Sequence, residues 1–375
     1  MNIPLSSPDI TAKEINAVIA VLKTPHLSLG PKLSEFEQKF AEYIDVKYAI
    51  AVNSGTSALH LCVKALGIKD GDEVITTPFS FISSANCMLF ERATPVFVDI
   101  REDNFNIDES KIEKAITKKT KAILPVHIFG YPCEMDKIRK IAKKYKLAVI
   151  EDACEAIGAK YKGKSIGRFG DCGVFAFYPN KQITTGEGGM IVTNNSQIAS
   201  ICRSLRNQGR DHGMAWLAHT RIGYNYRISD INCALGIAQL SRINEILCKR
   251  KKIQEMYNKK LGGIDDIILP AHDDLGITRS YFVYVIRLKE YFSQKQRDNI
   301  IVKLKEYGIA CNSYFPAIHF QPFYTKTFGY KKGDFPVTEK ISGLTIALPF
   351  FNNISDKQVD FIVKKLKKVI REVKK

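Results

Sequence analysis

Lys181 and Asp152 are the residues best placed to do chemistry. Lys181 lies in Phe175-Ala176-Phe177-Tyr178-Pro179-Asn180-Lys181-Gln182-Ile183-Thr184-Thr185-Gly186-Glu187-Gly188-Gly189, about thirty residues after an apolar run that ends in Glu151-Asp152. A lysine amine condenses with an aldehyde to form a Schiff base, and a carboxylate at a strand end can keep a pyridine nitrogen protonated, which makes that ring an electron sink. The pairing points to pyridoxal 5'-phosphate (PLP) as cofactor; no metal site is expected. Lys181 stands among Pro179, Thr184, Thr185 and three glycines and not on an amphipathic helix face, so a solvated surface position explains it poorly. Gly186-Glu187-Gly188-Gly189 taken alone also fits a hairpin, which accounts for its glycines but not for the lysine. Asp152 ends a buried strand, the zone where open α/β sheets bind ligands. Unpaired burial of its charge costs several kcal/mol, so it needs a cationic or donor partner; a helix N-cap is the plainer alternative.

Two further segments fit around such a cofactor. Asn53-Ser54-Gly55-Thr56-Ser57-Ala58-Leu59 follows a strand and opens a helix. Its free backbone N–H groups, hydroxyls and positive dipole end would seat a phosphate on Gly55, Thr56 and Ser57, although an ordinary N-capped helix start reads the same way. Thr77-Pro78-Phe79-Ser80-Phe81-Ile82-Ser83-Ser84 leaves the next strand as a loop. Phe81 there could stack on a planar ring or simply fill the core.

These residues must be held by a frame, and its pattern is legible. Short apolar runs at Tyr48–Val52, Glu73–Thr76, Pro95–Val98, Ala122–Val126 and Leu147–Ile150 alternate with helical stretches, which predicts a large, mainly parallel sheet flanked by helices. Val174–Phe177 and Met190–Thr193 follow as closely spaced strands around Lys181. One long helix is expected from Ser229 to about Leu261, joining two domains. Beyond it Tyr281–Ile286 and Thr345–Leu348 read as strands, 294–307 and 355–373 as helices, giving a smaller α+β domain. The expected division is 1–245, with residues 1–30 as an N-terminal arm, and 246–375.

Composition narrows the class. With 375 residues and 45% hydrophobic content the chain can build substantial cores. It lacks a leader-like start and any stretch of roughly 18 apolar residues, so a cytoplasmic location without membrane attachment is expected. Nine scattered cysteines without a C-x-x-C pair support neither a disulfide frame nor a zinc site. The formal charge of +17 sits mostly on helical stretches such as Lys137–Lys144 and Lys364–Lys368, interleaved with apolar positions. That is a solvated face, with a residual field that would attract an anionic small substrate; no nucleic-acid partner is expected.

The motifs together resemble the DegT/DnrJ/EryC1/StrS aminotransferase family, sugar aminotransferases of PLP fold type I, over roughly residues 3 to 370. The resemblance rests on Ser54–Leu59, Glu151–Ala159, Phe177–Lys181 with Thr185–Gly189, Gly223–Asp230 and Tyr314–His319, in the family's order. It implies an α/β fold of the aspartate aminotransferase type. It implies that Lys181 bonds the cofactor, Asp152 holds the pyridine nitrogen, Phe81 stacks on the ring, and Gly55, Thr56 and Ser57 take the phosphate. Asn225 would reach the phosphate of a neighbouring subunit's cofactor, so a homodimer would share its sites; Tyr314 and His319 would line the substrate pocket. The sequence departs from the family at Glu155, where many relatives carry glutamine near the cofactor hydroxyl, and at Ala176, often serine. The implied reaction is transamination of a nucleotide-linked 4-keto-6-deoxyhexose with L-glutamate as donor, serving polysaccharide or glycan synthesis. His127-Ile128-Phe129-Gly130-Tyr131-Pro132 lacks the glutamine associated with many C3 enzymes and tilts the reading to C4. The alternatives are a keto-cyclitol aminotransferase of the same family and, from another class, a non-catalytic regulatory or nucleic-acid-binding protein.

Overall fold

The computed structural model describes residues 2–374 apart from 212, 214, 216, 217 and 272. Seven strands form the large sheet, in the spatial order Tyr48–Val52, Gly189–Thr193, Cys172–Ala176, Ala148–Asp152, Thr120–Ile123, Glu73–Thr76, Thr94–Phe97. Six run parallel, and Gly189–Thr193 runs against both of its neighbours. Strands buried on both faces need near-continuous apolar sequence, and Ile50, Val52, Val74, Ile75, Ala122, Ile123 and Ile150 are fully enclosed.

Strand edges shift by one to three residues from the apolar runs. Ala122–Val126 is observed as Thr120–Ile123, and Tyr281–Ile286 as Tyr284–Leu288, because ladder pairing and not hydropathy sets the ends. The expected single helix is two, Asp230–Ser241 and Ile243–Leu261, broken at Arg242 (φ −107°, ψ 6°). At the break the Arg242 guanidinium reaches Asp9 at 3.2 Å, Glu14 at 2.9 Å and Glu245 at 3.0 Å. That cluster pins the N-terminal segment, whose helix Ala12–Leu22 opens on a Thr11/Glu14 capping box, against Asp230–Ser241.

A second sheet orders Ile267–Ile268, Tyr284–Leu288 and Thr345–Leu348, all antiparallel, under the helices Gln294–Glu306 and Asp356–Lys374. Its core holds Ile286, Ile346, Leu304, Ile362 and Leu366, together with Ile3, whose backbone pairs beside Ile309. The division expected near residue 245 falls at the start of Ile243–Leu261. Among the described residues no helix is long and apolar enough to cross a membrane.

Candidate active site

The parallel strands end on one edge, and the segments leaving them enclose a cavity of about 660 Å³. Ser54, Gly55 and Thr56 come from the end of Tyr48–Val52, Ser80–Ser84 from Glu73–Thr76, Asp152–Glu155 from Ala148–Asp152, and Tyr178–Lys181 from Cys172–Ala176. Phe282 and Ser313–Pro316 close it from the side of the smaller sheet.

Glu151 and Asp152 are adjacent on a strand, so their side chains leave opposite faces of the sheet. Glu151 accepts from the N–H groups of Gly167 (2.9 Å), Phe169 (2.6 Å) and Gly170 (2.7 Å), and from His127 Nε2 at 3.2 Å. The Cys133 N–H donates to His127 Nδ1 at 3.0 Å, which places the imidazole proton on Nε2. Glu151 is thus a structural anchor. Asp152 faces the cavity, 4% exposed, and accepts from Ser84 Oγ at 2.7 Å and the Cys154 N–H at 3.1 Å. Among the described residues no cation pairs with it. A buried carboxylate with two neutral donors and an open side toward a cavity fits a protonated heterocyclic nitrogen, which would supply the missing charge.

Lys181 Nζ enters the same cavity, its side chain 13% exposed. It lies 3.7 Å from Glu155 Oε1 and 3.9 Å from the centre of the Phe282 ring. Glu155 accepts from the Phe129 N–H at 2.9 Å, with Phe129 in the left-handed region (φ 53°). Burial pushes the Glu155 carboxyl up, opposed by the Lys181 ammonium and by the Phe129 N–H.

The helix Gly55–Ala65 starts at the cavity wall, with Ser54 Oγ accepting from the Ser57 N–H at 3.1 Å. A Cβ at Gly55 would lie 2.7 Å from Ala176 Cβ, so glycine is what lets the helix start approach the strand. Thr56 Oγ1 and Ser83 Oγ share a hydrogen bond of 2.7 Å. This rim of backbone N–H and hydroxyl groups fits a phosphate.

Of the residues singled out from sequence, Gly55, Thr56, Phe81, Asp152, Glu155, Lys181 and Tyr314 line this one cavity. Phe81 is 60% exposed at its mouth. Ser57, Asn225 and His319 do not line it. Ser57 Oγ turns back to Asn53 Oδ1 at 2.7 Å. Asn225 is exposed, on a segment whose backbone ties to Asn207. His319 is fully buried against Phe320, Tyr330 and Phe335, 3.4 Å from Glu339, and burial pulls its pKa down. The chain turns through a short 3-10 helix at Ile318–Phe320, which sends His319 away from Tyr314.

Sequence reasoning missed Ser84, Gln182 and Phe282. Ser84 is one of several serines in its loop, and nothing in the string distinguishes the one that meets Asp152. Gln182 Nε2 donates to Glu155 O at 2.7 Å and Ser280 O at 2.6 Å, a link between distant segments that only topology reveals.

Comparison with known proteins agrees with this geometry. The model of the DegT/DnrJ/EryC1/StrS aminotransferase family matches residues 8–367. GDP-perosamine synthase of Caulobacter vibrioides is 39% identical over 369 residues, covering 98% of this chain and 98% of its own. Helicobacter pylori PseC, an aminotransferase involved in the biosynthesis of pseudoaminic acid, superposes with a TM-score of 0.92 at 30% identity, over 99% of this chain and 100% of its own. The PLP form of Spr1654, a sugar aminotransferase of Streptococcus pneumoniae, gives a TM-score of 0.94 at 30% identity over 100% of both chains. A lysine amine, a buried carboxylate that no cation pairs among the described residues and a glycine-floored helix start meet in a fold shared with the PLP form of Spr1654, so the chain belongs to the DegT/DnrJ/EryC1/StrS aminotransferase family and is a PLP-dependent aminotransferase.

Proposed function

We propose that this enzyme transfers the amino group of L-glutamate to C4 of a nucleotide-linked 4-keto-6-deoxyhexose. The observation that carries the reading is the convergence of Lys181 Nζ and the Asp152 carboxylate on one cavity whose wall also includes Tyr314 and the exposed Phe81. The likeness to a GDP-perosamine synthase supports a nucleotide-sugar substrate. The chain's +17 charge would draw in a diphosphate.

When bound, PLP supplies an aldehyde that accepts the donor's amine and a ring that stores the electron pair released at the substrate carbon. Lys181 would hold the aldehyde carbon, Asp152 the protonated nitrogen, Phe81 a ring face, and Gly55, Thr56 and Ser57 the phosphate. When not bonded to the cofactor, Lys181 Nζ would take the proton from the donor's α carbon and, in the second half of the reaction, give one to the sugar carbon. Ser84 fixes the Asp152 carboxylate by donating to it, and Ser80 shares a 2.7 Å hydrogen bond with Ser84 Oγ. Glu155 and Phe282 flank the lysine amine.

The active unit in this reading is a homodimer. Ile15, Ile19, Leu22, Leu27, Leu29, Phe90 and Ile222 are large apolar side chains left at least two-fifths exposed, a surface that a second copy would cover. Asn225 lies in the Ile222 segment, which suits a reach into the partner's phosphate site. An Asn225→Ala variant that retained PLP as tightly as the parent would contradict that role.

The substrate is tested by incubating PLP-loaded enzyme and glutamate with UDP-, dTDP- and GDP-linked 4-keto-6-deoxyhexoses and with keto-inositols. A 4-amino sugar nucleotide identified by mass and NMR is expected. Amination only of keto-inositols, or at C3, would refute the substrate assignment.

A further inference from the structure

Arg250 is 3% exposed on the helix Ile243–Leu261, and no carboxylate pairs with it among the described residues. Its guanidinium grips carbonyls instead. Nε donates to Tyr281 O at 2.7 Å and Nη2 to Phe282 O at 2.6 Å, while Nη1 donates to Asn352 Oδ1 at 3.1 Å. The group lies 4.8 Å from the centre of the Phe350 ring. Burial, with no anion to oppose it, pulls its pKa down to about 9. A buried cation without an anion costs stability, yet this one spans two successive carbonyls with its planar fork, which a lysine ammonium cannot do.

The segment so gripped is the one that meets Lys181. Phe282 follows it into the cavity, its ring centre 3.9 Å from Lys181 Nζ. The same segment is tied to the opposite wall. Arg279 Nε donates to Phe129 O at 3.2 Å, the Ser280 N–H to Gly130 O at 3.1 Å, and Gln182 Nε2 bridges Ser280 O and Glu155 O. Residues 279–282 therefore form a strap from the smaller sheet to the cavity, and Arg250 is its fastening on the helix side.

We infer that Arg250 is a positioning residue: its fork on the Tyr281 and Phe282 carbonyls fixes the Phe282 ring against Lys181 Nζ and holds the free amine in place while it is not bonded to the cofactor. This rests on the reading of Lys181 given above. The ring packs over one side of the amine at 3.9 Å, so loosening it opens Nζ to an incoming reagent.

The test uses the full-length apoenzyme. Lys181 is labelled by limiting formaldehyde and cyanoborohydride, and its rate is read by peptide mass spectrometry against the exposed Lys162. Arg250→Lys keeps the positive charge but loses the two-carbonyl grip; the Lys181 rate is expected to rise about 2- to 30-fold, toward that of Phe282→Leu. The double variant should react no faster than Phe282→Leu alone. An unchanged rate in either single variant, or additive effects in the double, overturns the inference. Should Arg250→Lys fail to fold, Arg250→Gln is read by the same criteria. Failure of the Lys181 reading itself would appear separately, as PLP giving the parent's Lys181 no protection from label.

Discussion

Replacing Gly55 by alanine tests whether the phosphate seat depends on a missing side chain. The added Cβ would stand 2.7 Å from Ala176 Cβ and 3.1 Å from Cys154 Sγ, whereas ordinary contact begins near 3.4 Å. Ala176 Cβ is fixed to a central strand and cannot swing aside, so the helix start must retreat by about 0.7 Å and take the Gly55 and Thr56 N–H groups with it. Overpacking of this kind costs about 1–3 kcal/mol. Expressed at the cofactor site, that raises the PLP Kd by about 5- to 150-fold. The clash names its own remedy. With Ala176→Gly in the same chain the new methyl faces Ala176 Cα at 3.7 Å, and only Cys154 Sγ, the end of a side chain, remains close. Ala176→Gly alone should cost about 0.5–1 kcal/mol of stability as a strand glycine, while the double variant should bind PLP better than Gly55→Ala does. Absorbance titration of the apoenzymes gives the Kd values, and urea midpoints give the stabilities. Parent-like PLP binding by Gly55→Ala, or a double variant no better than that single one, would refute the reasoning.

Two further outcomes follow from the buried carboxylates. Burial would raise the Glu14 pKa, but donors from Thr11, Arg242 and Gln239 outweigh it and hold the group at about 2, against an ordinary value of 4.5. A depressed carboxyl contributes stability that is whole above the unfolded pKa and is lost as pH falls through the folded one. Glu14→Gln should therefore lower the urea midpoint at pH 7 by the equivalent of about 3 kcal/mol, and the gap should close between pH 4.5 and about 2; an equal gap at pH 7 and pH 3 would contradict this. Asp152→Asn keeps the Ser84 and Cys154 contacts in shape but removes the charge, and should lower kcat/KM by about two to four powers of ten. Steady-state rates within tenfold of the parent would show that the carboxylate's charge is not used.

The frame was legible because buried parallel strands leave continuous apolar runs and their crossovers leave a helical period. Lys181, Asp152 and the Gly55–Thr56 loop were legible because each breaks its local pattern: a lysine among glycines, a charge at the end of an apolar strand, a polar loop at a helix start. What escaped was set by distance in the chain. Ser84 matters for its contact with Asp152, and Phe282 because Arg250, 32 positions earlier, grips its carbonyl. The helix break at Arg242 was hidden because the flanking sequences share one apolar rhythm, while the break serves contacts with Asp9 and Glu14 far upstream. His319 shows the converse: the family resemblance implied a pocket shared with Tyr314, and the 3-10 turn Ile318–Phe320 buries His319 away from the cavity that Tyr314 lines.

The measurement that bears most directly on the account is borohydride reduction of the PLP-loaded protein followed by peptide mapping. The account expects a single pyridoxyl adduct, on Lys181, and none in a Lys181→Ala variant. A reduced label on another lysine, or no label while PLP is demonstrably bound, would contradict it.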